Sequence, residues 1–275
     1  MENNKISVIM GIYNCADTLP EAIDSILAQT YTDWELIMCD DCSSDGTCDV
    51  AMAYAERFPE KIILLRNEVN SKLAFSLNRC LEHASGEFVA RMDGDDISAP
   101  ERFVKQLSYL REHPDIDLVG TAMQRFSDKG MADIDIKQAD PDRFTLHRSI
   151  PFNHATIMTY KRVYDALGGY TVAERTNRGQ DYDLWFRFYH AGFSGGNIQE
   201  PLYLVREDMD AIKRRSFKVR WNAFKTTRYG YKLLGYPKWW IIRPAALMVF
   251  KSLVPYRMVA MYRGLQKKIF EKGNR

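Results

Sequence analysis

The segment Arg91-Met92-Asp93-Gly94-Asp95-Asp96 puts three carboxylates within four residues, directly after the apolar run Phe88-Val89-Ala90. That run reads as a short buried strand, so the acids stand at or just past its C-terminal end. In an open α/β sheet, ligands bind at this edge. Like charges gathered so closely repel unless a cation compensates them, and hard carboxylate oxygens suit Mg²⁺ or Mn²⁺. Gly94 permits a tight turn and leaves room for a ligand. Asp-x-Asp in this position points to a metal that carries a diphosphate. The competing reading is a polar turn in which Asp96 caps the next element.

Asp40-Asp41 ends a second apolar run, Trp34 to Cys39, before the turn Cys42-Ser43-Ser44-Asp45-Gly46-Thr47. An acid pair at the ligand edge, near a helix N-terminus, can accept hydrogen bonds from a base such as uracil or can cap the turn. Asp45 reads as serving the turn or the helix start. Cys39-x-x-Cys42, with Cys48 nearby, has the outline of a redox or zinc motif. The two residues inside it are acidic, which raises thiol pKa values, and no fourth ligand stands at zinc spacing. His154 reads as a satisfied structural histidine. Asp181 opens an apolar-faced helix after Arg178-Gly179-Gln180. Position alone leaves it either a helix cap or a catalytic base.

The elements that must hold these residues alternate. Ile6–Met10, Trp34–Cys39, Ile62–Leu65 and the run before Asp93 read as strands. Between them lie helical patterns beginning at Thr18-Leu19-Pro20-Glu21, a capping-box signature, then after Thr47 and from Leu73 to Ala84. Pro100 starts a further helix to about His113. The alternation predicts an α/β fold with a mostly parallel, Rossmann-like sheet. Leu118-Val119-Gly120, Thr156-Ile157-Met158 and Pro201–Val205 read as further strands, some of mixed direction, with 127–142 a polar loop.

The ordered set of motifs resembles a family-2 glycosyltransferase of the GT-A fold over about residues 5–207. Ser7-Val8-Ile9-Met10-Gly11-Ile12-Tyr13-Asn14 is similar to that family's first strand and turn, and Asp40 to Thr47 to its nucleotide-binding acid motif. Leu77-Asn78, Ala84-Ser85-Gly86-Glu87 and Arg91 to Asp96 are similar to its central block. Gly168-Gly169-Tyr170 and Gln180 to Arg187 are similar to its acceptor-side block. The resemblance implies donor and nucleotide contacts from Gly11, Tyr13, Asp41 and Asp93, a metal ligand in Asp95 (Mn²⁺ or Mg²⁺), and a catalytic base in Asp181. It implies inverting transfer from a nucleotide-sugar, with UDP the expected nucleotide, to a hydroxyl of a saccharide or lipid-linked acceptor in cell-surface polysaccharide synthesis. The chain departs from the pattern twice. Gln180-Asp181 stands where Glu-Asp is usual, and Lys72 stands where many relatives have glycine.

Charge divides the chain. Residues 213–275 carry 17 of the 38 lysines and arginines and one of the 36 acids, while 1–212 carry 21 bases and 35 acids. The expected organisation is a catalytic domain over 1–212 and a basic helical region over 213–275 with an anionic partner. Aromatics such as Trp221, Trp239 and Trp240 are interleaved with the bases. Arg243, Pro244, Lys251, Pro255 and Arg257 interrupt the apolar stretch 239–261, which suits a membrane interface better than a span. Packing on the domain and oligomerisation are the competing readings of this region. Five cysteines and a polar N-terminus imply a reduced, cytoplasmic setting, peripheral on the inner face of the membrane. Nucleic-acid binding has only charge in its favour. The alternatives are a sugar-nucleotide nucleotidyltransferase, which lacks its glycine-rich phosphate loop here, and a silent nucleotide-sugar-binding scaffold.

Overall fold

The computed structural model describes residues 4–127, 130–207 and 217–253. The chain runs β1 (Ile6–Ile12), α1 (Leu19–Leu27), β2 (Trp34–Asp40), α2 (Thr47–Arg57), β3 (Ile62–Arg66), α3 (Leu73–His83), β4 (Phe88–Arg91), β5 (Ile97–Ser98) and α4 (Arg102–Glu112). It continues through β6 (Leu118–Ser127), β7 (Gly130–Asp135), α5 (Thr145–Arg148), β8 (Met158–Tyr160), α6 (Lys161–Leu167), α7 (Gln180–His190), β9 (Gly195–Arg206), α8 (Phe217–Leu233) and α9 (Ile242–Leu253).

One sheet runs in the order β3-β2-β1-β4-β8-β6-β9-β5, with β7 paired to β6. From β3 to β4 every pairing is parallel. Such strands are covered by helices on both faces, which is why they read as continuous apolar runs. The rest of the sheet is mixed: β8 is antiparallel to β4 and β6, β9 is parallel to β6, and β5 is antiparallel to β9. One core packs α1 and α4 on the first face through Leu19, Ile23, Phe103 and Leu110. The other packs α3, α6 and α7 on the second face through Leu77, Val163, Trp185 and Phe188.

Several sequence expectations change. Residues 130–135 form β7 instead of lying in a loop. Its residues are exposed or half-buried along its whole length, so it left no apolar periodicity to read. β6 and β9 extend well beyond the short runs expected, and β8 starts at Met158 after a 3₁₀ turn over His154–Thr156. The capping box at Thr18 does not form. The Thr18 hydroxyl donates instead to the carbonyls of Cys15 and Gly94 (3.3 and 3.1 Å), and Glu21 pairs with Arg206. Both would-be cap partners are taken by long-range bonds that hold the acid-rich turn after β4.

Helix α8 docks on α7. Its Tyr231 is buried with Leu234, Tyr236, Trp185 and Phe186 in the second core. Gly230 permits the contact, since a Cβ there would lie 2.1 Å from the Phe186 ring. No described helix is long and apolar enough to cross a membrane.

Candidate active site

The parallel half brings the sequence-predicted residues to one edge. In register, Ile9 faces Arg91 and Ile12 faces Asp40, so the turns after β1, β2 and β4 lie side by side. Gly11 sits within β1, where a Cβ would come 2.7 Å from Leu73 Cδ1; its absence lets α3 close on the strand. The first two turns are bonded together. Ser44 N–H donates to Asn14 Oδ1 (2.9 Å), Cys15 N–H to Thr47 Oγ1 (2.7 Å) and Ala16 N–H to Asp45 Oδ2 (3.3 Å). Asp45 also accepts from the Thr47 N–H and hydroxyl, so it serves the turn, as its position implies. Tyr13 stands beside this junction, 50 % exposed.

Asp41 is buried and accepts from Asn67 Nδ2 (2.8 Å), Ser71 N–H (2.7 Å) and Lys72 N–H (2.9 Å). A carboxylate has about four acceptor directions, so roughly one remains. Lys72 has φ 75° and ψ 161°, a backbone region essentially reserved for glycine. This is the physical content of the departure at Lys72: the bond to Asp41 holds a non-glycine residue in a strained turn before α3.

Arg91 is the hub that sequence reading missed. It is buried, and its guanidinium makes a fork–fork pair with Asp93 (Nη1–Oδ2 2.7 Å, Nη2–Oδ1 2.5 Å). Burial and the Asp93 charge act oppositely on it, and Asp93 holds its pKa above the usual guanidinium range. Its Nε has no partner among the described residues. Behind it, buried Arg102 donates to the Arg91 carbonyl (2.8 Å) and lies over the Tyr203 ring, 5.0 Å from the centroid. Burial lowers the Arg102 pKa to about 10. A basic residue two positions before Asp-x-Asp was the available signal for Arg91; nothing local marks Arg102.

The three acids differ. Asp93 is committed to Arg91, and its N–H donates to the Tyr203 hydroxyl (3.0 Å). Asp96 is buried and accepts from Arg206 N–H (2.9 Å). Burial, then the Asp93 and Asp95 charges, raise its pKa to about 8. Asp95 is exposed, and no side chain among the described residues donates to its carboxylate. Crowding by surrounding protein, then the charge of Asp93, raise its pKa. No group of three His, Cys, Asp or Glu side chains able to enclose a metal occurs among the described residues. The donor set fits a Mg²⁺- or Mn²⁺-type ion all the same, because such ions are held by one or two carboxylates plus substrate phosphates. Asp95 is the free carboxylate for that arrangement.

Asp181 lies in the first turn of α7. Burial raises its pKa, the Tyr182 N–H and then the nearby Arg91 charge pull it back in part, and no side chain among the described residues donates to it. Two residues on, Asp183 is fully buried. It accepts from the Thr171 hydroxyl (2.6 Å), Arg187 Nε (2.9 Å) and Arg175. Asp183 therefore anchors the helix, while Asp181 keeps its carboxylate uncommitted. Asn78 binds both the N–H and the carbonyl of Tyr170 (2.7 and 2.9 Å), tying α3 to the Gly168-Gly169-Tyr170 turn. His154 is hydrogen-bonded to the Tyr170 hydroxyl (2.9 Å), and burial holds its pKa well below the usual value, as a structural histidine requires. The cysteines are all free and gather no metal-ligand set.

A Rossmann-like sheet with uncommitted acids at its ligand edge is the architecture of GT-A glycosyltransferases. The solved structure of Staphylococcus aureus TarS with UDP shares this fold at TM-score 0.64 and 20 % identity, covering 84 % of this chain and 69 % of that one. A Pyrobaculum calidifontis mannosyltransferase, PcManGT, in complex with GDP-Man and Mn²⁺ does so at TM-score 0.60 and 19 % identity, over 96 % and 80 %. In sequence, EpsE of Bacillus subtilis (strain 168), a protein named as a glycosyltransferase, is 50 % identical over 213 residues, 78 % of this chain and 77 % of its own length. WfgD of Escherichia coli, a UDP-Glc:α-D-GlcNAc-diphosphoundecaprenol β-1,3-glucosyltransferase, is 38 % identical over 110 residues, 40 % of this chain and 42 % of WfgD. The profile of Glycosyl transferase family 2 matches residues 7–167. The chain belongs to that family and is a glycosyltransferase.

Proposed function

We propose that the protein transfers a sugar, with inversion, from a UDP-sugar to a hydroxyl of a saccharide or lipid-linked acceptor in cell-surface polysaccharide synthesis. The observation that carries this reading is the pair of carboxylates that no described side chain donates to, Asp95 and Asp181, both near the buried Arg91 guanidinium. The UDP-bound TarS, and the UDP-glucose donor and diphosphoundecaprenol-linked acceptor in the name of WfgD, support the donor and acceptor classes.

On the donor side, Tyr13 offers a ring face to the base and Asp41 its remaining acceptor direction to a base N–H. Gly11 keeps β1 close to α3 beneath them. Asp93, held by Arg91, lies where the donor's ribose or sugar passes, and its oxygens fix hydroxyls there. Asp95 would hold Mg²⁺ or Mn²⁺ against the donor diphosphate. That ion supplies charge neutralisation for the departing nucleoside diphosphate.

On the acceptor side, Asp181 takes the proton from the acceptor hydroxyl as that oxygen forms its bond to the anomeric carbon. The bond from that carbon to the diphosphate oxygen breaks, and the electron pair leaves with UDP. Attack from the face opposite the leaving group inverts the centre in one displacement, so no nucleophilic side chain is needed. Arg91 holds Asp93 in place and moderates the raised pKa of Asp181.

The proposed location is peripheral, on the cytoplasmic face of the membrane. The exposed apolar side chains of the 3₁₀ turn Lys238–Ile241 and of α9 support it, with Trp239 at 67 %, Ile242 at 65 % and Phe250 at 65 % exposure. The test is to incubate the protein with a panel of nucleotide-sugars and saccharide acceptors and read the product's anomeric configuration by proton NMR. A β-linked product from an α-linked UDP-sugar is expected. Retention of configuration, or no transfer from any nucleotide-sugar, would contradict the proposal.

A further inference from the structure

A cleft of about 840 Å³ opens between α5 and the chain around Trp239, Trp240 and Arg243. That volume falls in the range of small-molecule sites. Its lining includes Phe144, His147, Arg148, Trp239, Trp240 and Arg243. Trp240 stacks on His147 with ring centroids 4.1 Å apart. The two guanidiniums have no acidic partner among the described residues. Arg148 makes no hydrogen bond there, and Arg243 uses only Nη1, on the His147 carbonyl (3.1 Å). The one acid in the lining is Asp142. Its Oδ1 already accepts from the N–H groups of Phe144 and Thr145 (3.0 and 2.9 Å) and from the Thr145 hydroxyl.

Two unpaired guanidiniums beside flat aromatic rings form a site for a phosphate-bearing, ring-containing ligand. Two neighbours narrow the choice. The Tyr182 hydroxyl donates to the Leu146 carbonyl (2.7 Å), so the cleft wall is bonded to the residue directly after Asp181. Beside the cleft, exposed Ile242 and Phe250 make an apolar strip on α9. Cationic cleft, apolar strip and catalytic helix are therefore contiguous. Residues 254–275 are unsuited as occupant by charge, since they carry six bases and one acid.

We propose that this cleft is an acceptor subsite for the diphosphate head of a lipid-linked saccharide. Arg148 and Arg243 grip the phosphates, the tryptophans flank the first sugar, and the isoprenoid runs along the exposed face of α9. The inference rests on the lipid-linked acceptor reading above and adds where its anionic head is held.

The test titrates the full chain, saturated with UDP and Mn²⁺, with farnesyl diphosphate, following tryptophan fluorescence and calorimetric heat. Saturable binding is expected, weakened about tenfold or more in the double variant R148Q/R243Q. Arg148→Gln alone, which removes no bond within the described residues, is expected to weaken it about threefold to tenfold on the same grounds. Inorganic diphosphate is expected to bind at least tenfold more weakly than farnesyl diphosphate. Equal affinity for the two would make the cleft a free-phosphate site and overturn the lipid assignment. Farnesyl diphosphate binding that UDP displaces, that both variants leave unchanged, or that is absent altogether overturns the subsite. UDP affinity is measured separately on wild type and both variants before saturation. Its absence in the wild type would count against the donor-site reading, whereas intact UDP binding with unaltered farnesyl diphosphate binding fails the cleft alone.

Discussion

Asp181 and Asp183 lie two residues apart at the start of one helix and have opposite roles. Asp183 is enclosed by Arg175, Arg187 and Thr171, while Asp181 has no side-chain donor among the described residues and a pKa raised by burial. A base works in its ionised form, so kcat/KM falls as pH drops through the pKa of Asp181, and the acid limb lies above the ordinary carboxylate range. Asp181→Asn is expected to lower kcat by about 10²- to 10⁴-fold and to remove that limb. A pH–rate profile whose limb survives the substitution would contradict the assignment. Lys72 is the other residue whose backbone speaks for itself. Lys72→Gly relieves roughly 1–3 kcal/mol of strain, against about 0.5–1 kcal/mol of added chain entropy in the unfolded state. A higher midpoint of thermal unfolding is expected, and a lower one would contradict the strained geometry. Asp41, Asp95 and Asp181 stand out as candidates in the sequence because acids at strand ends and helix starts leave a local pattern. The family resemblance singles out Asp181 over Asp183, but the contacts that bury Asp183, from Arg175 and Thr171 folding back from an earlier turn, leave no local trace.

The elements were legible in proportion to how their burial repeats along the chain. β1, β2 and β4 are covered on both faces and stand out as apolar runs, so the parallel half and its ligand edge follow from the sequence. β7 buries no face, β5 has two residues, and Thr18 bonds across the fold to Gly94; none of these leaves a periodic trace. Helix α7 is set against the sheet by the Asp183 cluster, with Arg187 also donating to the carbonyls of Leu167 and Gly169 (2.8 and 2.9 Å). Removing one member leaves buried guanidinium charge uncompensated. Asp183→Ala is expected to cost about 3–5 kcal/mol in urea unfolding, while Asp181→Asn costs far less. Equal stability of the two variants would count against the division of labour between them.

For the whole molecule, the basic C-terminal region over 213–275 is plain from composition, yet composition could not sort its aromatics. Tyr231 and Tyr236 are core residues against α7, whereas Trp239, Ile242 and Phe250 are exposed. Interleaved aromatics and bases look alike in sequence whether they face a core or a bilayer. The exposed set predicts association with phosphatidylglycerol vesicles at low salt, at up to about 1 kcal/mol per engaged base. Trp239→Ser with Phe250→Ser is expected to weaken it, and salt to reverse it. Failure to sediment with such vesicles at low ionic strength would contradict the peripheral location.

In the proposed donor site, Asp95 and a divalent ion together hold a nucleoside diphosphate at the edge of the parallel strands. The decisive experiment is calorimetric titration with UDP, GDP, dTDP and CDP, each with and without Mn²⁺, on wild type and Asp95→Ala. Mn²⁺-dependent binding of UDP is expected, abolished by Asp95→Ala while the variant keeps its fold. Binding indifferent to both the ion and the substitution, or no nucleotide binding under any condition, would contradict it.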